Sequence, residues 1–113
     1  MLKKESRATK NDFKLIGKPD KTIQGEFFTA RVFGHEGSPL KFAVSISKKV
    51  EKKAVLRNKI RRLSYEVVRR MLPDIKNKLK DKFIIHFILK SKPKVFPEDV
   101  NQDMNNILNR LIK

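Results

Sequence analysis

Basic side chains are concentrated in one short stretch of this sequence. Residues 48–62 hold eight Lys or Arg and a single acid, Glu51. An Arg guanidinium can donate two parallel hydrogen bonds to a phosphate, and an Asn amide can address a ribose hydroxyl or a base edge. The spacing therefore predicts a phosphate-binding surface on one side of a helix, which we call the basic ridge: Arg57, Asn58, Lys59, Arg61 and Arg62.

The alternative interpretation of this charged segment is a helix face that is simply exposed to solvent, as most runs of charged residues are. Such faces normally mix signs. Here like charges lie four residues apart, as in Arg57 and Arg61, and they repel unless an anion separates them. The spacing therefore favours a phosphate-binding surface over a solvated charged face. The preceding lysines would add cations beside free backbone N–H groups at the start of the helix: Lys48, Lys49, Lys52 and Lys53.

The overall composition limits the choice of partner. The 113 residues carry a net charge of +16. Self-repulsion at this density destabilises a compact fold, which indicates that the charge serves a function. Nucleic acid, an anionic membrane surface and an acidic protein are the candidate partners. The sequence has no Cys, no apolar run near the ~18 residues that span a bilayer, and no signal-peptide core at its start. We therefore expect a cytoplasmic protein of one domain that binds nucleic acid and has no membrane partner.

Hydrophobic periodicity predicts the elements that position the basic ridge. Strict alternation predicts a strand over Leu40–Ser47, and apolar residues at steps of three and four predict a helix over Ala54–Leu72, ended by Pro73. The mixture of elements indicates an α+β fold with helices packed on one sheet. The other predicted elements are a short helix Asp12–Ile16, a loop or extra strand at Lys18–Gly25, a strand Glu26–Phe33 forming an antiparallel hairpin with Leu40–Ser47, a strand Lys82–Leu89 and a helix from near Pro97 to Leu111.

The segment FAVSISKKVEKKAVLRNKIRR (Phe42–Arg62) resembles the signature of the bacterial ribonuclease P protein subunit. In that family a strand ending in SKK is followed by a short loop, by AV and by a helix that opens with an RNxxKR-type motif. Two positions depart from the pattern: Arg61 stands where Lys is more frequent, and Glu51 where Gly is usual. A weaker likeness extends to Asp12–Phe13 and to the strand Phe83–Leu89.

The resemblance implies a small two-layer α/β sandwich like domain 2 of ribosomal protein S5. Its element order is αβββαβα, with a central sheet and a long basic helix, over residues 1–113. It also implies a left-handed β–helix–β crossover, whereas general rules favour a right-handed one. Periodicity leaves the handedness open.

The resemblance further implies a function. The family subunit binds the catalytic RNA of ribonuclease P, one protein to one RNA, and the 5′ leader of precursor tRNA. On this resemblance no DNA partner is expected. The RNA and its Mg²⁺ ions carry out the cleavage that removes the leader. On this interpretation the residues that contact the RNA subunit are Lys48, Lys49, Lys53, Arg57, Asn58, Lys59, Arg61, Arg62 and Tyr65.

The leader would bind as a single strand in a cleft that combines an aromatic stacking surface with small side chains. Candidate residues are Phe13, Phe27, Ala43, Ser45 and Ser47. A hydrophobic-core position is the alternative for Phe13, and the residues alone leave it open.

Two competing functions follow from the same charge. A structural RNA-binding protein of ribosomal type would share the ridge but would not support ribonuclease P activity. A protein-only nuclease would need carboxylates or histidines arranged around a metal, and the sequence offers only His35, His86 and no paired-carboxylate pattern. We therefore predict that the protein itself is not the catalyst.

Overall fold

The computed structural model describes residues 19–34, 40–79 and 83–112. The predicted helix Asp12–Ile16 lies outside these residues. The described elements follow the order βββαβα: β1 (Lys21–Gln24), β2 (Phe28–Gly34), β3 (Lys41–Ile46), α1 (Ala54–Leu79), β4 (Phe83–Leu89) and α2 (Glu98–Ile112).

The four strands form one mixed sheet in the order β1-β2-β4-β3. Strands β1 and β2 are antiparallel, as are β2 and β4, whereas β3 and β4 are parallel. The predicted hairpin between Glu26–Phe33 and Leu40–Ser47 is therefore wrong, because β4 lies between these strands. The apolar run FIIHFIL in β4 suits a central strand, and a parallel pair needs a long crossover, here α1. The hairpin partner of β2 is β1, the extra strand left open at Lys18–Gly25.

Both helices pack on one face of the sheet, which makes the molecule a two-layer α+β fold as predicted. The alternation predicted for β3 is confirmed, because Phe42, Val44 and Ile46 face the helices and are at most 8% exposed. In β4, Ile85, Phe87 and Leu89 continue the same face in register with β3. The helices complete this core with buried residues of their own: Ile60, Tyr65, Val67, Val68, Ile75, Val100, Met104, Ile107, Leu108 and Leu111.

Helix α1 is longer than predicted, because it continues through Pro73 to Leu79. A proline inside a helix removes one hydrogen bond and costs about 3 kcal/mol. Beyond it the apolar spacing continues, and Ile75 is fully buried in the core that α1 shares with α2. Tertiary packing therefore outweighs the local penalty. With 26 residues α1 is roughly 39 Å long, so its basic first turns lie far from its last turn.

Candidate nucleic-acid interface

The basic ridge lies on the solvent side of the first two turns of α1. Asn58, Lys59 and Arg62 are exposed, and Arg57 and Arg61 are half-buried. Ile60, on the opposite side of the same turns, is 3% exposed and belongs to the core. Burial of the apolar side thus fixes the rotation of the helix and directs the cations outwards. Within the ridge, Arg61 Nη1 donates a hydrogen bond of 3.1 Å to Asn58 Oδ1, which orients both polar groups.

Arg57 has a second role that the sequence did not suggest. Its Nη1 donates to the carbonyl oxygens of Glu51 (2.9 Å) and Lys52 (2.8 Å). These carbonyls belong to the loop before the helix. The guanidinium therefore fastens the lysine-rich loop to the first turn of α1, and it positions the cations of the loop as well as adding its own charge.

Glu51, the acid that departs from the family pattern, organises the same loop. It is 4% exposed, its Oε2 accepts the backbone N–H of Lys53 at 3.2 Å, and its Oε1 lies 3.5 Å from Lys92 Nζ. The hydrogen bond from Lys53 holds the pKa of Glu51 below its ordinary value; burial opposes this shift and the charge of Lys92 reinforces it. The one acid of the segment is thus ionised and engaged internally, so the outer surface here is cationic.

The turn that leads into this loop is also ordered. The backbone N–H groups of Val50 and Glu51 donate to the Ser47 carbonyl at 3.2 and 3.1 Å, and Val50 N–H also lies 3.3 Å from Ser47 Oγ. Lys48, Lys49, Lys52 and Lys53 are exposed around it, and the first turn of α1 contains no acid. The positive end of the helix dipole therefore adds to the charge of the lysines.

Tyr65 does not lie on the basic ridge. It is 7% exposed and packs in the core between the sheet and the helices. On the helix it stands three residues before the buried Val68, which places the two about 60° apart around the axis. The prediction that Tyr65 contacts the RNA subunit is therefore wrong, because its side chain lies in the core, and Tyr65 is not among the proposed RNA contacts.

The residues predicted to bind a single strand are only partly brought together. The prediction that Phe27 provides a stacking surface is wrong, because Phe27 is 5% exposed and packs in the core. Ala43 and Ser45 lie on the sheet face away from the helices, where Ala43 is 8% exposed and Ser45 is exposed. Ser47 is exposed just beyond the end of β3, and Phe13 lies outside the described residues.

His86 and Arg31 lie on the same sheet face, although the sequence did not predict either as a binding residue. His86 pairs in register with Arg31 on one side and Ala43 on the other, and its Nε2 lies 2.6 Å from Ser45 Oγ. Burial lowers the pKa of His86, and the charge of Arg31 lowers it further, so the ring is neutral at neutral pH. Alternation along β4 places His86 opposite the core, but only the parallel register with β3 brings it to Ser45. His35, the other histidine, lies outside the described residues.

Neither a metal-ligand cluster nor a membrane-spanning helix occurs in the described part of the chain. Across residues 19–34, 40–79 and 83–112, no group of three or more His, Asp or Glu is arranged to hold a metal ion. No helix in the same ranges is long and apolar enough to cross a bilayer.

A small α+β protein with a basic helix over a mixed sheet is the class that this fold and surface define. The family model described as Ribonuclease P matches residues 1–112, and the chain belongs to that family. It is 39% identical over 64 residues to the ribonuclease P protein component of Picosynechococcus sp., a match that covers 57% of this chain and 55% of that relative. The chain thus spans about half the length of this relative.

Solved structures support the fold. An RNase P protein structure from Thermotoga maritima has a TM-score of 0.73 and 27% identity, covering 92% of this chain and 96% of that one. A Staphylococcus aureus RNase P protein structure has a TM-score of 0.76 and 24% identity, covering 93% of this chain and 94% of that one. The two-layer fold predicted from the family resemblance is therefore confirmed.

Proposed function

We propose that this chain is the protein subunit of a ribonuclease P ribonucleoprotein, which binds the catalytic RNA and helps to remove the 5′ leader of precursor tRNA. The observation that carries the proposal is the ordered cationic surface built by Arg57, in a chain that belongs to this family. Phosphate binding needs cations held in fixed positions. The lysine-rich loop is held by Arg57, and burial of the apolar side of α1 directs the cations of the basic ridge outwards. Both features supply such positions.

Each part of the surface would contribute differently to binding of the catalytic RNA. Arg61 and Arg62 would form charge-assisted hydrogen bonds with phosphates, and Asn58, oriented by Arg61, would add a contact to a ribose or a base edge. Lys48, Lys49, Lys53 and Lys59 would neutralise further phosphates as more mobile point charges.

The sheet face away from the helices would hold the leader of precursor tRNA. Ser45 and the neutral His86 offer polar groups on that face, and the exposed Arg31, which pairs with His86 in register, would contact a phosphate. Ala43 leaves room for a backbone to approach. Phe13 and Ser47 remain predicted contacts of the same strand.

The cleavage chemistry would belong to the RNA, as the family resemblance implies. Mg²⁺ would be held chiefly by the RNA subunit and the substrate rather than by this protein. The protein would then act by binding and orienting RNA through its ordered cations, with one protein for each RNA in the cytoplasm.

Reconstitution tests this proposal. The full chain is mixed with a bacterial ribonuclease P RNA and a precursor tRNA at low Mg²⁺, and release of the leader is followed on a gel. We expect cleavage only when protein and RNA are both present. Binding without stimulation would favour a structural RNA-binding protein, and cleavage by the protein alone would favour a protein-only nuclease. Either result would overturn the proposal.

The role of Arg57 as a clamp gives a separate prediction. Arg57→Lys keeps the charge but shortens the side chain, so its ammonium should not reach both carbonyls. We therefore expect affinity for the ribonuclease P RNA to fall about 5-fold, the equivalent of one hydrogen bond. Hydrogen exchange of the free protein should show faster exchange at the amide of Lys53. The matched change Arg61→Lys should leave that amide unaffected. Equal exchange in both variants would show that Arg57 does not hold the loop.

A further inference from the structure

An exposed apolar surface borders the basic ridge. Phe96 is 43% exposed, although it stands in a chain rich in charge. It lines a cup of about 80 Å³, which we call the apolar cup. Four apolar and two charged residues line it: Leu56, Ile60, Pro93, Phe96, Glu51 and Lys92. The chain neighbours of two lining residues, Val55 and Val95, are also exposed, at 65% and 56%. The apolar area is thus larger than one stray side chain.

The cup is a built feature of the fold. Asp99 Oδ2 accepts the backbone N–H groups of Lys94 and Val95, both at 2.8 Å, and Asp99 N–H donates to the Val95 carbonyl at 2.9 Å. On the other side, Lys92 is tied to the buried Glu51. The segment that carries Phe96 is therefore fixed at both ends, and it holds the ring outwards at the side of α1.

The charges around the cup indicate what it could bind. The Lys92 side chain is 63% exposed, and Arg57, a member of the basic ridge, directly follows the lining residue Leu56 in α1. Glu51, the acid in the lining, is buried and engaged by Lys53 and Lys92. The occupant should therefore combine a flat apolar part with a negative charge. A cup of this size takes one ring rather than a helix or a strand.

We propose that the apolar cup receives one unpaired base of the RNA that lies on the basic ridge. The base would stack on Phe96 and Pro93, and Lys92 would contact its phosphate, as in other single-stranded sites that join aromatic side chains to cations. This inference rests on the proposed function, because it requires an RNA on the ridge. It adds a contact that distinguishes an RNA with an extruded base from a regular duplex, which phosphate contacts alone do not do.

The test compares Phe96→Leu with Val95→Ala, which removes a neighbouring exposed apolar group that does not line the cup. Binding is measured for a bacterial ribonuclease P RNA and for a blunt RNA duplex of similar length. We expect Phe96→Leu to weaken binding to the ribonuclease P RNA about 5- to 100-fold, the range for loss of one stacked base, and to change duplex binding less than about 2-fold. Val95→Ala should leave both affinities unchanged. Phe96→Trp keeps an aromatic ring at this position and should bind the ribonuclease P RNA as tightly as the wild type.

Salt dependence distinguishes loss of stacking from loss of phosphate contacts. Loss of stacking should leave the slope of log affinity against log salt unchanged in Phe96→Leu, whereas removal of one phosphate-binding cation reduces the slope by about one. Equal affinity of Phe96→Leu and the wild type would overturn the proposal, as would equal weakening on both RNAs. Self-association that Phe96→Leu abolishes, with no change in RNA binding, would instead identify the cup as a contact between copies of this chain.

The same measurements separate this inference from the proposed function. If the wild type does not bind the ribonuclease P RNA, both fail together. If Arg61→Gln weakens binding but Phe96→Leu does not, the ridge is retained as an RNA-binding surface and only the cup is rejected.

Discussion

Affinity for the ribonuclease P RNA should fall roughly a thousandfold when monovalent salt is raised from about 50 mM to about 200 mM. The expectation follows from about six phosphate contacts, each of which releases a bound counterion from the RNA. The structure offers six suitable cations in one ordered region: Lys48, Lys49, Lys53, Lys59, Arg61 and Arg62. Filter binding or fluorescence anisotropy at four or five salt concentrations gives the slope.

The location of these contacts is tested by removing two charges at a time. Arg61→Gln with Arg62→Gln should reduce the slope by about two, one for each phosphate that is no longer neutralised. Lys76→Gln with Lys78→Gln is the matched control. It removes the same charge from the last turn of the same helix, roughly 20 Å from the ridge. We expect the control pair to change the slope by much less.

Two results would contradict the prediction in different ways. A nearly flat salt response of the wild type would show that phosphate contacts do not dominate binding. An equal change of slope in the two double variants would show that the RNA responds to the net charge of +16 rather than to an ordered ridge. The second result would leave RNA binding in place but remove the role proposed for the first turns of α1.

Local patterns in the sequence were sufficient to predict most of the described elements and the direction of the basic ridge. Alternation in Leu40–Ile46 and the three- and four-residue spacing from Leu56 to Val68 depend on burial of one side, and the structure buries that side. The same spacing predicted α2 from near Pro97. These features are local, because each is set by which side of an element meets the core.

Features that depend on distant contacts were not visible in the sequence. The hairpin assigned to β2 and β3 failed because β4, more than forty residues after β3 begins, inserts between them. Pro73 alone predicts the end of the helix, because local sequence does not reveal the packing of Ile75 in the core. Tyr65 lies at the border between the two sides of α1, where the amphipathic pattern does not decide its direction. Arg57 appeared as a plain cation because its carbonyl partners lie in an irregular loop.

Asp103 is the clearest case of a residue that the sequence hides. It stands in an amphipathic helix beside Gln102, where an acid normally faces solvent, yet it is 4% exposed. Its carboxylate accepts the backbone N–H groups of the turn between β1 and β2: Glu26 at 2.7 Å, Phe27 at 3.0 Å and Phe28 at 2.7 Å. The Phe27 carbonyl in turn accepts from Lys90 at the end of β4. One side chain thus joins α2 to the turn between β1 and β2, and this turn is itself hydrogen-bonded to the residue that follows β4.

Replacement of Asp103 by Ala should lower the free energy of unfolding by about 3–5 kcal/mol. Two buried backbone donors and one part-buried donor would lose a charged acceptor, and each such group left unpaired carries its own desolvation cost. Asp103→Asn should recover little, because its NH₂ group would face backbone N–H donors. Urea denaturation followed by circular dichroism measures the change. Asp99→Ala is the control: it is also on α2 and also accepts two backbone N–H groups, but it is half-buried, so we expect about 1 kcal/mol.

Gly25 extends the test to the close approach of the turn and α2. A Cβ at this position would lie 2.7 Å from both carboxylate oxygens of Asp103 and 2.8 Å from Ile107 Cδ1. Gly25→Ala should therefore destabilise the fold by displacing the carboxylate from its three donors. Its cost should be smaller in the Asp103→Ala background, because residues in contact are not additive and part of the clash is then absent. Additive costs would show that Gly25 acts independently of Asp103, and a small effect of Asp103→Ala would show that water replaces the carboxylate at this turn.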